Sequence, residues 1–242
     1  MDDVALAAKL ADKAGRILLS IRRSGEFEGN ALGKAGDAEA NAYLISELKK
    51  QRPDDAILSE EEQDSGERLK NERVWIIDPL DGTREYGDGR DDWAVHVALA
   101  VNGKASIGAV ALPAMEEMLL SSPPAVLSPA NSPLVMAVSR TRPAKEAVYV
   151  AERLGAKLLP MGSAGAKAMA VVRGEADIYL HSGGQYEWDN CAPVAVAQAA
   201  GLHCSRIDGS QMRYNNPDTY LPDLLICRQE HAKQILAIVA AR

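Results

Sequence analysis

Four of the chain's twelve prolines fall between Pro123 and Pro133, and the hydrophobic patterning changes character across that stretch. Proline lacks an amide donor and clashes with a continuing helix, so neither a helix nor a central strand can run through it. The segment reads as a linker between residues 1–122 and 134–242. In the first part Val4, Leu10, Ala11, Ala14, Ile17, Leu18 and Ile21 share one helical face over residues 4–22. A second helix is predicted over residues 38–50 through Tyr43, Leu44, Ile45 and Leu48, ended by Pro53, with a glycine-spaced loop from Gly25 to Gly36 between them. Short β-prone runs follow at Ala56–Leu58, Val74–Ile77, Ala94–Val101, Ala105–Leu112 and Met118–Leu120, with Asn102-Gly103 as a hairpin turn. Beyond the linker, strands at Leu134–Val138, Lys157–Pro160, Asp177–Leu180 and Leu224–Cys227 alternate with helices opening at Pro143, Ser163, Asp189 and Glu230. This predicts a mostly antiparallel α+β part followed by an α/β part.

Composition narrows the function. Of 242 residues, 47% are apolar and 25% charged, which excludes a disordered chain. The net charge of -7 opposes non-specific binding to a phosphate backbone, so no nucleic-acid partner is expected. The longest apolar run, Ala94–Val101, is far short of the ~20 residues of a membrane span. Met1-Asp2-Asp3 places acid where a secretory leader carries positive charge, and the expectation is a cytoplasmic protein. Cys191, Cys204 and Cys227 have neither disulfide nor zinc-ribbon spacing, and the four histidines form no close pair.

The chemistry concentrates in three acidic stretches. In Trp75-Ile76-Ile77-Asp78-Pro79-Leu80-Asp81-Gly82-Thr83 an apolar strand runs into two carboxylates separated by a proline turn. Asp78, Asp81 and the Leu80 carbonyl can then converge as a hard-oxygen site of the kind Mg²⁺ prefers, and a helix starting at Gly82 would turn its amides toward an anion. The same residues also suit a plain β-turn with Asp78 as a cap. Glu60-Glu61-Glu62 ends a strand, and reads either as a solvated run or as one facing a cleft. Glu187-Trp188-Asp189 opens an apolar helix, where Asp189 can serve simply as the N-cap. Gly29-Asn30-Ala31-Leu32-Gly33-Lys34-Ala35 is one residue short of a P-loop and lacks its Ser or Thr.

Together and in this order, the three acidic stretches resemble the inositol monophosphatase superfamily over nearly the whole chain. Gly162-Ser163-Ala164, Ala176-Asp177-Ile178-Tyr179 and Ala199-Ala200-Gly201 carry the likeness further. Gly33–Asp37, Val138–Pro143 and His181–Asp189 are most similar to actinobacterial CysQ-type phosphatases of 3′-phosphoadenosine 5′-phosphate. The resemblance implies a layered αβαβα sandwich and a Mg²⁺-dependent 3′-phosphatase acting on adenosine 3′,5′-bisphosphate, with inositol phosphate or fructose 1,6-bisphosphate as the alternative substrate. It implies one Mg²⁺ on Glu60, Asp78 and the Leu80 carbonyl, and a second on Asp78, Asp81 and Asp189. Thr83, backed by Glu60, would orient and deprotonate the attacking water, and the Gly82 and Thr83 amides would receive phosphate oxygens. Substrate contacts are expected from Ser139, Arg140, Ser163 and Lys167 as well as Asp81 and Asp189. A third ion would involve Asp37, although Lys34-Ala35-Gly36-Asp37 lacks the threonine many relatives have there. Where inositol-specific members carry a glutamate, this chain offers His181 or Ser182. A homodimer and sensitivity to Li⁺ are further implications of the family.

Overall fold

The computed structural model describes residues 1–242. Helices α1 (Asp3–Ser24) and α2 (Gly29–Gln51) lead into a five-stranded sheet of β1 (Ala56–Ser59), β2 (Arg73–Asp81), β3 (Ala94–Val101), β4 (Lys104–Leu112) and β5 (Glu117–Leu120), ordered as in the chain. Only β1 and β2 are parallel. A short helix α3 (Thr83–Gly87) interrupts the sequence between β2 and β3. The second sheet, in the order β7-β6-β8-β10-β9, comprises β6 (Val135–Ser139), β7 (Lys157–Met161), β8 (Ile178–Ser182), β9 (His203–Ser205) and β10 (Asp223–Cys227). Helices α4 (Lys145–Leu154), α5 (Ala164–Arg173), α6 (Glu187–Ala199) and α7 (Gln229–Ala240) accompany it.

Strand alternation explains the layers. Trp75, Ile77, Val95, Val97 and Leu99 point to one face and pack against Leu6, Leu10, Leu44 and Leu48 of α1 and α2. Val74, Ile76, Ala94, Ala98 and Ala100 point to the other face and meet α5 and α6. The far side of those two helices covers Ala137, Tyr179, Leu224 and Ile226 of the second sheet. That sheet's outer face, with Met136, Val138, Ile178, Leu180 and Leu225, is sealed by α4 and α7. The result is the expected αβαβα stack. Strands β2 and β3 read as unbroken apolar runs because both of their faces are covered.

Two expectations need correction. The glycine-spaced segment is not a loop to Gly36, because α2 begins at Gly29. A Cβ at Gly33 would lie 2.6 Å from Thr83 Cγ2, and one at Gly36 would lie 2.9 Å from Leu18 and 3.1 Å from Tyr86. These glycines let α2 pass close to the end of β2, and that packing offsets their poor helix propensity of ~1 kcal/mol each. Helix α4 starts at Lys145 rather than Pro143, with Ala144 extended as its cap. Strand β9 escaped prediction because three residues carry no readable period.

Candidate active site

The site is built where the two parallel strands end. Ser59 pairs with Ile77 in β1–β2, so Glu60 emerges beside Asp78. The β2–β3 register shifts between Asp78, opposite His96, and Asp81, opposite Ala94. Pro79 has no amide to give the ladder, and the Leu80 amide bonds the Asp78 carboxylate at 3.0 Å instead. Both aspartates are buried at this bulge. From the other half, the first turn of α6 brings in Asp189, and one carboxylate oxygen each of Asp78, Asp81 and Asp189 lie within 4.8 Å of one another.

Each carboxylate has a different electrostatic solution. Burial raises Asp78 well above the usual carboxylate range, and the neighbouring Glu60, Asp81 and Asp189 raise it further. Burial, then Asp81, pushes Asp189 up to about 7. Burial likewise takes Glu60 to about 7, with Asp37, Glu61 and Asp81 adding to it. Asp81 goes the other way. Burial opposes its charge, but His96, Ser163 and the Gly165 amide hold it at about 2. Its oxygens accept from Ser163 Oγ at 2.5 Å, the Ala164 amide at 3.0 Å and the Gly165 amide at 2.5 Å. Asp81 thus ties the end of β2 to the N-terminus of α5. Ser163 caps that helix with φ +25°, unusual for a residue with a side chain, and also accepts the Ala166 amide. His96 lies with Nε2 3.3 Å from Asp81 and Nδ1 3.0 Å from the Trp188 carbonyl.

A cavity of about 520 Å³ is lined by Thr83 and by Asp189 of the cluster, together with Ser139, Thr141, Arg142 and His181. Ser163 and Lys167 also line it. Burial lowers the Lys167 ammonium to about 8, and it donates to the Gly162 and Ser163 carbonyls.

Most residues singled out in the sequence meet here, and the exceptions are instructive. Arg140 does not line the cavity. Its guanidinium bonds Glu85 at 2.8 Å and Asp88 at 3.2 Å, fastening β6 to α3, and Arg142 takes its place at the cavity wall. Thr83 is not backed by Glu60. Its hydroxyl donates to the Leu80 carbonyl at 3.2 Å, and no hydrogen bond joins it to Glu60. Asp37 is buried on α2, is raised by that burial to about 7, and keeps one oxygen without a partner. Asp189 is not the N-cap of α6. It is the third helical residue and accepts the Tyr186 amide at 2.7 Å. The roles of His96 and Arg142 went unread because each depends on which strand or helix faces the bulge, and the sequence offers Asp37 only as a residue for a third ion.

Residues 2–242 match the model of the inositol monophosphatase family. The chain belongs to that family. It is 50% identical over 238 residues, 94% of this chain and 89% of the relative, to a 3′-phosphoadenosine 5′-phosphate phosphatase of Mycobacterium tuberculosis. It is 30% identical over 200 residues, 77% of this chain and 81% of the relative, to the 3′(2′),5′-bisphosphate nucleotidase CysQ of Escherichia coli. Among solved structures, CysQ from Bacteroides thetaiotaomicron superposes with a TM-score of 0.82 at 24% identity, covering 93% of this chain and 97% of that one. Inositol monophosphatase family members are metal-dependent, and the donors here fit a hard cation. Three carboxylates crowd together, two raised by burial and mutual repulsion, and no basic side chain neutralises Asp78.

Proposed function

We propose that the protein hydrolyses the 3′-phosphate of adenosine 3′,5′-bisphosphate to give AMP and inorganic phosphate, using Mg²⁺. The observation that carries this reading is a cavity lined both by Asp189 of the acid cluster and by Arg142 with Ser139 and Thr141. A ligand with one phosphate at the cluster and a second anion some way off suits that division. The half-identical mycobacterial relatives are phosphatases of this nucleotide.

Glu60, Asp78, the Leu80 carbonyl, Asp81 and Asp189 would hold the cations, which supply Lewis-acid charge and lower the pKa of bound water. Thr83, its proton directed to the Leu80 carbonyl, presents an oxygen lone pair that accepts a hydrogen bond from the attacking water and orients it. Asp37 and Glu60, both raised toward neutrality, are the carboxylates placed to take up its proton. The Gly82 and Thr83 amides, opening α3, receive the phosphate oxygens where negative charge develops. Gly82 sits at φ +93°, and a Cβ there would lie 3.1 Å from Ser163, so glycine is required at this close approach. Ser163 and Lys167 line the cavity and would face the ribose, and Arg142 with Ser139 would take the 5′-phosphate.

The test compares kcat/KM for adenosine 3′,5′-bisphosphate, inositol 1-phosphate and fructose 1,6-bisphosphate in the wild type and Arg142→Ala. The nucleotide is expected to lead, and Arg142→Ala to raise its KM ~10-fold or more, a lost charge-assisted bond of ~1.5–3 kcal/mol. Inositol 1-phosphate, with no second anion, should change little. Preference for inositol 1-phosphate, or equal losses on both substrates, overturns the assignment.

A further inference from the structure

Glu187 is fully buried at the first position of α6, yet lies outside the acid cluster. Its carboxylate accepts the Asn215 amide at 2.7 Å, the Asn216 amide at 2.8 Å and the Asn216 side chain at 2.7 Å. Both asparagines are gripped in turn by Arg68, itself only 3% exposed. The guanidinium donates to Asn215 Oδ1 at 2.8 Å, to the Asn216 carbonyl at 2.9 Å and to Asp64 at 2.8 Å. Asn215 returns the contact through its amide nitrogen to the carbonyls of Arg68 and Asn71. Arg68 belongs to a 3₁₀ turn, Glu67–Lys70, a few residues beyond Glu60. One continuous run of hydrogen bonds therefore joins the segment that carries Glu60 to the helix that carries Asp189.

The first turn of α6 is held at three successive residues. Glu187 is held by the asparagines, Trp188 by His96 through its carbonyl, and Asp189 by the Tyr186 amide. That last bond engages the carboxylate of Asp189, one oxygen of which lies within 4.8 Å of an oxygen of Asp78 and of Asp81. Carboxylates this close repel each other, and an unsupported helix end would relieve the repulsion by moving away. Held in place, the turn presents its ligand already organised.

We propose that Glu187, with Arg68, Asn215 and Asn216, is a positioning system that sets Asp189 against Asp78 and Asp81 and so determines the affinity of the cation Asp189 holds. This rests on the reading of Asp189 as a metal ligand. Mn²⁺ binding, followed by the electron paramagnetic resonance signal of the free ion, tests it on the wild type, Glu187→Gln, Arg68→Met, Arg68→Lys and Asp189→Asn. Circular dichroism and melting curves establish which variants are folded. Glu187→Gln and Arg68→Met should weaken one ion ~10–100-fold, the scale seen when a group supporting a ligand is removed. Asp189→Asn should remove that same ion, and Arg68→Lys should recover part of the loss. A folded Glu187→Gln with the wild-type isotherm and only a lower melting temperature shows a structural role and overturns the proposal. If Asp189→Asn also binds as the wild type does, the ligand reading fails first and the proposal with it. Should Arg68→Met not fold, Glu187→Gln decides alone, since its carboxamide oxygen keeps part of the asparagine contact.

Discussion

Asp177 and Asp78 are both buried carboxylates at the ends of strands, and their surroundings are opposite. Asp177 lies under the proline-rich linker and accepts the Asn131 amide at 3.0 Å, the Val135 amide at 2.8 Å and Arg228 Nε at 3.1 Å. Arg228 also bonds the Ser128 carbonyl, so the pair fastens the linker to β6 and to the turn after β10. Burial opposes the Asp177 charge, but these donors hold its pKa below the usual range. Asp78 has one backbone donor and four acidic neighbours, Glu60, Asp81, Asp189 and Asp37, and its pKa is driven up. Burial of an acid is thus not by itself a mark of function. Asp177 has its donors complete and an arginine partner and serves the fold, whereas Asp78, set among like charges without a basic partner, suits a cation.

The sharpest way to break this contrast is Asp78→Asn. Turnover should fall ~10⁴-fold or more, about 5 kcal/mol of barrier, while the metal-free protein melts no lower than the wild type because a repelled charge has gone. Retention of more than about a tenth of wild-type turnover would put Asp78 outside the reacting centre.

Asp177→Ala should do the reverse. Leaving Arg228 buried and unpaired is expected to cost ~3–5 kcal/mol of stability, read by denaturant titration, with kcat/KM of the folded fraction unchanged. The sign with pH follows from the depressed pKa. In the wild type this contribution is complete above about pH 4, the ordinary aspartate value, and is lost as pH falls through the folded-state value. Asp177→Ala should therefore lack that part of the acid-limb slope. An acid limb identical to the wild type would show the pair to be energetically idle.

A smaller effect is expected at Thr83, which touches both worlds by packing on Gly33 and donating to Leu80. Thr83→Ala should lower kcat ~10²–10³-fold, within the range for a lost proton-transfer group, with KM little changed. Loss of substrate affinity with kcat intact would make Thr83 a binding residue only.

The order of strands and helices was legible in the sequence because it depends on local pattern. The layering and the joint ligand set were expected only from the likeness of the three acidic stretches, taken together, to a known family. Strand and helix periods report which faces are apolar, whereas Asp78-Pro79-Leu80-Asp81 suits a plain β-turn as well as the bulge it forms here. The proline cluster likewise marked the junction of the two sheets. Other features could be decided only by the tertiary structure. Gly33 and Gly36 look like loop residues until α3 and α1 lie against them. Arg140 and Arg142 are equivalent cations in sequence, and only the placement of Glu85 and Asp88 turns one into a clamp and leaves the other at the cavity wall. Glu187 becomes the partner of Arg68 through two asparagines, by contacts between segments far apart in the chain. Such pairings depend on distance and orientation in three dimensions, for which a linear pattern carries no period.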